Sequence, residues 1–241
     1  MSSRIASTAL QRGRCSHTQT DKGTGMNQEP QDMDPARLAV TGRTEAFSDG
    51  VFAIVITLLI LDVRAPTSEP SGLLGDLLAQ WPAYLGYLTS FLYVGVIWLN
   101  HHALFNRIQR IDKGLNLTNL VLLLTTAFLP FPTSVLATAI QDGDPRNISV
   151  AVALYALVAG LMCASWLLIF SYLGRHPDLL TGVDAAFFRR ERVRAWTGIL
   201  GYTAAGALGS VTSVAAPLVL LLALPVFYFI TSHGLARKTH V

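Results

Sequence analysis

The stretch that decides the fold is residues 43–61, which read RTEAFSDGVFAIVITLLIL. Its second part, residues 50–61, is apolar enough to cross a membrane as a helix, whereas the turns before it carry Arg43, Glu45 and Asp49. Ionisable side chains at that depth are costly unless they face protein or water. The sequence therefore predicts a helix that is covered by the rest of the protein or that lines a water-filled path.

The composition of the whole chain is that of an integral membrane protein. Of its 241 residues, 51% are hydrophobic and 14% are charged, and the mean hydropathy is +0.45. Soluble domains carry about 25% charged residues. These values exclude a collagen, a disordered tail, a disulfide scaffold and a nucleic-acid-binding domain, so we expect no nucleic-acid partner. Two cysteines, Cys15 and Cys163, are too few for a disulfide framework or a metal knuckle.

Six apolar segments, each about 17–25 residues long, predict an all-α integral membrane protein built as a six-transmembrane-helix bundle. They are residues 42–63, 81–99, 115–136, 150–173, 196–213 and 214–230. The last two share a short uncharged connection and should form a tight helical hairpin. Prolines 130 and 132 in the third segment and 217 and 225 in the sixth predict kinks rather than helix ends, with neighbouring helices covering the freed carbonyls.

The basic residues predict the orientation of the bundle. If the six segments span the membrane, sixteen of the eighteen Lys and Arg residues fall on one side, and only Arg64 and Arg146 fall on the other. Positive charge marks the cytosolic side. We therefore expect both termini in the cytosol and, since no sorting signal is recognisable, a multi-pass protein of a prokaryotic plasma membrane.

Three regions follow from the composition along the chain. Residues 1–40 predict a disordered cytosolic arm, residues 41–232 the transmembrane domain, and residues 233–241 a cytosolic tail. Translation starting at Met26 or Met33 instead of Met1 is an open alternative. The basic connection from Arg189 to Arg194 is expected to be a solvated cytosolic loop, with contact to anionic lipid as the alternative.

Helical periodicity divides the first segment into two faces. At about 100° per residue, one face carries a single hydroxyl among apolar side chains: Gly50, Ile54, Thr57, Leu58 and Leu61. The opposite face carries Ser48, Phe52, Val55 and Leu59. From periodicity alone, the first face could pack against neighbouring helices or line a pore.

The polar side chains of the first three segments are assigned to structure. Asp49 lies off the Ile54 face and is expected to accept hydrogen bonds from Trp98 and His102, which lie four residues apart on one helix face. The expected structural network comprises Arg43, Ser48, Asp49, Trp98, His101, His102, Asn116 and Asn119. Adjacent helical positions such as 101 and 102 rarely chelate one ion, so no metal and no other cofactor is expected. A pH-sensing role for His102 remains an alternative.

Three stretches of the chain resemble a known family. They are residues 43–61, the run WLNHH at 98–102 followed by Phe105, and the runs NLTN at 116–119 and FLPFPT at 128–133. Together they resemble the prokaryotic branch of the transmembrane protein 175 family, which are potassium-permeable channels. The resemblance implies six-helix subunits that assemble as a homotetramer around a central pore lined by the first helix. It also implies the absence of a reentrant filter, and the chain contains no TVGYG string.

The same resemblance implies a function and roles for the residues of the first face. Ile54 would form the narrowest ring of the pore, Leu58 and Leu61 further apolar rings, and Thr57 a hydroxyl layer that bears on selectivity. The implied function is a potassium-permeable cation channel with a hydrophobic constriction and modest preference for K⁺ over Na⁺. Its expected partners are potassium ions, the lipid bilayer and further copies of the chain.

Two other classes of function are weighed against a channel. An ion-coupled secondary transporter usually carries a broken helix or a charge at mid-membrane, often duplicated in an inverted repeat, and the last three segments show no echo of residues 47–50. An enzyme is not expected, because the chain has no HExxH or GxSxG motif and no carboxylate cluster. The transporter remains the alternative.

Overall fold

The computed structural model describes residues 35–65, 72–182, 185–211 and 215–232. Their α-helices are α1 (Pro35–Leu58), α2 (Leu73–Ala79), α3 (Trp81–Phe105), α4 (Lys113–Ala127), α5 (Pro130–Asp142), α6 (Pro145–Leu173), α7 (Ala185–Val211) and α8 (Ala215–Ser232). Two short 3₁₀ turns cover Leu59–Asp62 and Pro177–Leu179. Residues 1–34 and 233–241, which hold most of the predicted arm and all of the predicted tail, lie outside the described part of the chain. Residues 35–40 were assigned to the disordered arm but belong to α1, so that end of the prediction is wrong. The fold is therefore all-helical over the residues described.

Four helical segments in the described part of the chain are long and apolar enough to cross a membrane. They are Thr41–Asp62, Trp81–Phe105, Lys113–Asp142 and Pro145–Leu173. The fifth and sixth predicted segments are also helical, as α7 and α8. However, α7 begins with a charged stretch, whereas α8 carries no charged residue over its 18 residues. The count of six spans stays a prediction.

The third predicted segment is divided into α4 and α5 where its prolines lie. Pro130 and Pro132 have no amide hydrogen to donate to the carbonyls of Thr126 and Phe128, four residues before each. The amide one residue before each proline bonds that carbonyl instead, at 3.1 and 3.3 Å. The freed carbonyls are thus satisfied within the same segment and not by neighbouring helices. Backbone dihedrals stay right-handed helical at the junction between α4 and α5, so the two helices continue one another.

The prolines of the sixth segment lie in different environments. Pro225 lies inside α8, as the predicted kink requires. Pro217 falls in the first turn of α8, which begins at Ala215. Amides of a first turn have no intrahelical partner, so a kink predicted at Pro217 has no physical cause there.

The bundle is organised around α6. This helix packs against α4, α5 and α7, while α8 packs against α3 and α7, and α1 packs against α3 and α4. Side chains such as Leu122, Val152 and Ile169 are fully buried in one continuous apolar core. The helices that flank α1 are therefore also part of the core, which ties α1 to the whole subunit.

The two connections predicted to be cytosolic contact each other. Residues Ile108 and Leu180 form an isolated antiparallel bridge, and the Thr181 amide donates to the Arg107 carbonyl at 2.9 Å. Arg110 and Asp178 add an exposed ion pair of 2.9 Å. These backbone bonds hold the α3–α4 and α6–α7 connections together at one end of the bundle.

Asp112 links α4 to α6 beside that bridge. Its carboxylate accepts a hydrogen bond from the Leu115 amide at 2.8 Å, which caps the N-terminus of α4, and a second from the Tyr172 hydroxyl. A Cβ atom on Gly114 would overlap the Tyr172 side chain, so glycine is required for this approach. Partial desolvation opposes ionisation, but the two hydrogen bonds outweigh it and lower the pKa of Asp112.

We expect Gly198→Ala to destabilise the packing of α7. Gly198 is buried, and an added Cβ would overlap the Tyr228 hydroxyl of α8 and lie 2.6 Å from Cys163 Sγ of α6. Overpacking of this kind costs about 1–3 kcal/mol, which should lower the apparent melting temperature of the purified protein in detergent. The matched control is Gly95→Ala in α3, where no atom lies within 4 Å of the new Cβ. Equal melting temperatures for the two variants would contradict this account.

Candidate pore-lining helix

Helix α1 has one buried face and one face that no other described part of the chain covers. The buried face carries Ser48, Phe52, Val55 and Leu59, each at most 1% exposed. The other face carries Phe47, Ile54, Leu58 and Leu61, which are 56, 60, 44 and 68% exposed. Both faces contain the residues that periodicity assigned to them. A single chain therefore presents a row of large apolar side chains on the outside of α1.

The C-terminal end of α1 tightens before the last of these residues. The α-helix ends at Leu58, and residues Leu59–Asp62 continue as a 3₁₀ turn. A 3₁₀ helix has three residues per turn, so its positions i and i+3 are eclipsed. Leu61 therefore lies directly above Leu58 along the helix axis, and the change of helix type keeps both on the exposed face.

Thr57 is exposed beside this row, and its hydroxyl has a defined role. Oγ1 of Thr57 donates to the carbonyl oxygen of Ile54 at 2.8 Å. The hydroxyl proton is thereby directed to the backbone of the same helix. The oxygen lone pairs remain available, and they are groups that can coordinate a cation.

Two side-chain contacts join α1 to α3. Trp98 Nε1 donates to Asp49 Oδ1 at 2.9 Å, and His102 Nδ1 lies 2.9 Å from Glu45 Oε1. The contact of His102 is an ion pair when its imidazole is protonated. Each helix contributes residues four apart, so the contacts lie one turn apart, and the rings of Trp98 and His102 stack at 5.9 Å. The sequence assigned both rings to Asp49, whereas the structure gives His102 to Glu45.

A chain of hydrogen bonds connects α1, α3 and α4 in the protein interior. Asn119 Nδ2 donates to Ser48 Oγ at 2.9 Å, and Ser48 Oγ donates to the Thr44 carbonyl at 2.9 Å. Because the amide nitrogen of Asn119 is used in this way, its Oδ1 faces His101 Nε2 at 2.9 Å, which must carry the proton. Ser48, His101 and Asn119 are each at most 1% exposed. In the two bonds between helices the donor precedes the acceptor in the order α3, α4, α1: His101 donates to Asn119, and Asn119 donates to Ser48.

Of the two remaining residues of the predicted network, Asn116 forms a side-chain hydrogen bond with α1, and Arg43 forms none within the described chain. Asn116 Oδ1 accepts a hydrogen bond of 3.3 Å from the Thr44 hydroxyl. Arg43 is exposed and forms no hydrogen bond or ion pair with the residues that the structure describes. Thr44 and Glu45 were missed by the sequence analysis. Each lies four residues before a predicted member, Ser48 or Asp49, and helical spacing could have identified it.

Residues 189–194 do not form the solvated loop that the sequence predicted. They belong to α7, which begins at Ala185. Within this turn Arg194 Nη1 contacts Glu191 Oε2 at 2.7 Å, and both side chains are at least half-buried. Because each charge compensates the other, this turn of α7 can pack against the bundle, where Arg194 also donates to the Tyr228 carbonyl of α8 at 3.5 Å.

Comparisons with a family model and with individual proteins identify the same family. The family model described as endosomal/lysosomal potassium channel TMEM175 matches residues 43–130. A potassium channel of Streptomyces collinus is 44% identical over 164 residues, covering 67% of this chain and 79% of that protein. Mouse endosomal/lysosomal proton channel TMEM175 is 34% identical over 157 residues, covering 57% of this chain and 32% of the mouse protein.

A solved structure extends the likeness to most of the fold. The crystal structure of a lysosomal potassium-selective channel TMEM175 homolog from Chamaesiphon minutus aligns with a TM-score of 0.70 and 32% sequence identity. The alignment covers 80% of this chain and 98% of that one. The likeness thus includes helices beyond the matched stretch of residues 43–130.

We expect Asn119→Ala to cost more stability than Asn116→Ala. The first variant removes two buried hydrogen bonds, which leaves His101 Nε2 without its acceptor and Ser48 Oγ without its donor, at about 1–3 kcal/mol. Asn116 is half-buried and accepts a single bond of 3.3 Å, so its loss should cost less than about 1 kcal/mol. Apparent melting temperatures of the two purified variants measure the difference. An Asn116→Ala variant as unstable as Asn119→Ala would contradict the assigned network.

Proposed function

This chain belongs to the TMEM175 family, and from that premise we propose that it is a potassium-permeable cation channel whose pore is lined by α1. The observation that carries the proposal is the exposed apolar row of Ile54, Leu58 and Leu61 on a helix whose other side is bonded to α3 and α4. A lipid-facing helix has no need of such directional bonds. A helix that must keep one face toward a central path needs directional bonds to fix its rotation.

The proposed channel is a homotetramer of six-helix subunits. The α1 face lies on the outside of the single chain, so one copy cannot enclose a path for ions. Four copies around a central axis, as the family resemblance implies, would bring four Ile54 side chains into one ring and four Leu58 and Leu61 side chains into two more. A closed symmetric ring also covers apolar side chains that a monomer leaves exposed.

The proposed selectivity arises from dehydration at the apolar rings. An ion that passes a ring narrower than its hydration shell must shed water, and this costs Na⁺ more than K⁺ because the smaller ion binds water more tightly. Thr57 oxygens, with their protons directed to the Ile54 carbonyls, would replace part of the lost shell. Without a continuous cage of carbonyls, the preference for K⁺ over Na⁺ is modest.

The proposed cellular setting follows from the distribution of charge. We place the protein in the plasma membrane with both termini in the cytosol and the channel domain over residues 41–232. Potassium ions and membrane lipids are its partners. Its named relatives are channels, and no catalytic role is proposed.

Planar-bilayer recording of the purified protein under a K⁺/Na⁺ gradient tests the function. We expect discrete unitary currents with a reversal potential shifted toward that of K⁺. A parallel K⁺ flux assay in liposomes distinguishes a closed channel from a carrier. Slow, saturable flux coupled to a second ion, without unitary currents, would refute the channel and favour a transporter.

Ile54→Asn should increase conductance and decrease the preference for K⁺. The substitution replaces the proposed apolar constriction with a polar one, so ions cross it with more of their water. The readouts are unitary current and reversal potential under the same K⁺/Na⁺ gradient. Leu157→Asn is the control, because Leu157 is as exposed as Ile54, at 60%, but lies on α6, away from the proposed pore. Unchanged current and reversal potential in Ile54→Asn would remove Ile54 from the constriction.

Thr57→Val should lower the K⁺/Na⁺ permeability ratio and leave assembly intact. Valine keeps the shape of threonine but has no oxygen to coordinate a cation. Thr203→Val on α7 is a matched control, since its hydroxyl is also exposed and donates to a carbonyl of its own helix, at 2.7 Å. A shift of reversal potential shared by both variants, or absent from Thr57→Val, would contradict the assignment.

A further inference from the structure

Helix α7 presents one continuous exposed stripe along its length. The stripe begins with two arginines, continues through a valine and a tryptophan and ends at a leucine: Arg189, Arg192, Val193, Trp196 and Leu200. At 100° per residue these positions fall within an arc of about 100°. The opposite face, with Phe187, Glu191, Ala195 and Tyr202, is buried against the bundle. We call the exposed set the α7 stripe.

The two arginines of the stripe are available to an outside partner. Glu191, the acidic residue nearest to them along the helix, points inward and is paired with Arg194. Among the residues that the structure describes, Arg189 and Arg192 form no ion pair. They lie three residues apart, about 4.5 Å along the helix axis, which allows both guanidinium groups to approach one phosphate. Arginine binds phosphate through planar, paired donors.

Trp196 fixes the depth of the stripe in the membrane. Tryptophan concentrates at the boundary between headgroups and hydrocarbon, and Trp196 is 53% exposed. Arg192 lies one turn before it, about 6 Å along the axis, which matches the thickness of the headgroup layer on one side of a bilayer. Leu200, 65% exposed and one turn after it, reaches the hydrocarbon. The arginines, the ring of Trp196 and the aliphatic side chain of Leu200 thus follow the order of the layers in a phospholipid leaflet.

The packing of the bundle favours lipid over a second copy of the chain as the occupant. Helix α7 packs against α6 and α8, whereas α1, with the exposed row proposed to meet other copies, packs against α3 and α4. The α7 stripe and the α1 row therefore lie on helices with different neighbours. An oligomer formed through α1 leaves the stripe open to the bilayer.

We propose that the α7 stripe is a binding site for an anionic phospholipid. The lipid phosphate is held by Arg189 and Arg192, its glycerol region lies beside Val193 and Trp196, and an acyl chain packs along Leu200. The site is independent of the conduction mechanism. It would hold whether the protein conducts as a channel or moves ions as a carrier.

Native mass spectrometry of the purified protein tests the site. The protein is exposed to phosphatidylglycerol and phosphatidylcholine of identical acyl chains, and the bound lipids are counted. We expect wild type to retain phosphatidylglycerol in preference. The double variant Arg189→Gln/Arg192→Gln should reduce that preference roughly thirtyfold, at about 1 kcal/mol for each arginine near an anionic lipid.

A matched double variant separates a site from general positive charge. Lys113→Gln/Arg175→Gln removes two exposed cations that lie at the same end of the bundle but on α4 and at the end of α6. It should keep the preference of wild type. Equal loss in both double variants, an unchanged preference in Arg189→Gln/Arg192→Gln, or no preference in wild type would each overturn the proposal.

If the double variant does not assemble, single variants and a variant that conserves the charge can test the same site. Arg189→Gln and Arg192→Gln alone should each remove about half of the preference on a logarithmic scale. Arg189→Lys/Arg192→Lys keeps the charge and should retain part of it. Single variants that bind as wild type does would overturn the proposal.

Discussion

The structure depends on the need to satisfy two carboxylates and two hydroxyls within one and a half turns of an apolar helix. Thr44, Glu45, Ser48 and Asp49 would be costly to bury in a bilayer without partners. Residues of α3 and α4 supply those partners, namely Trp98, His102, Asn116 and Asn119. Hydrogen bonds are directional, so they determine the rotation of α1 about its own axis. That rotation decides which of its apolar side chains remain exposed.

The two halves of α1 are held by different forces. In the first half, bonds of 2.9 Å from α3 and α4 define single partners for single atoms. In the second half, Phe52, Val55 and Leu59 are buried by packing alone. Packing is less directional than hydrogen bonding. The hydrogen bonds of the polar turns thus fix the rotation of α1 about its axis, and packing supports the rest of the helix. The direction in which the exposed row points is therefore set by the polar turns.

Much of this arrangement could be predicted from sequence, because membrane helices are long and periodic. Segment positions, the two faces of α1 and most members of the polar network follow from hydropathy and a 100° period. The choice of Glu45 as the partner of His102 could not be predicted, since two carboxylates four residues apart are equivalent in a helical projection. The 3₁₀ turn at Leu59–Asp62, the short helix α2 and the early start of α7 depend on local backbone geometry and tertiary packing, which composition does not encode.

The 3₁₀ turn has a consequence for the electric field. From Ile54 to Leu58 the helix rises about 6 Å, at 1.5 Å for each of four residues. From Leu58 to Leu61 it rises about 6 Å again, at 2.0 Å for each of three residues. In the proposed tetramer the apolar layers are therefore evenly spaced over about 12 Å, less than half of a hydrocarbon core of about 30 Å.

A narrow segment with few polar atoms is the part of a water-filled path that resists ion flow most. Most of the transmembrane voltage in the proposed tetramer therefore falls across these three layers. An ion beside Thr57, between the first two layers, then senses a defined fraction of the membrane potential, whereas an ion at the polar turns of α1 senses almost none.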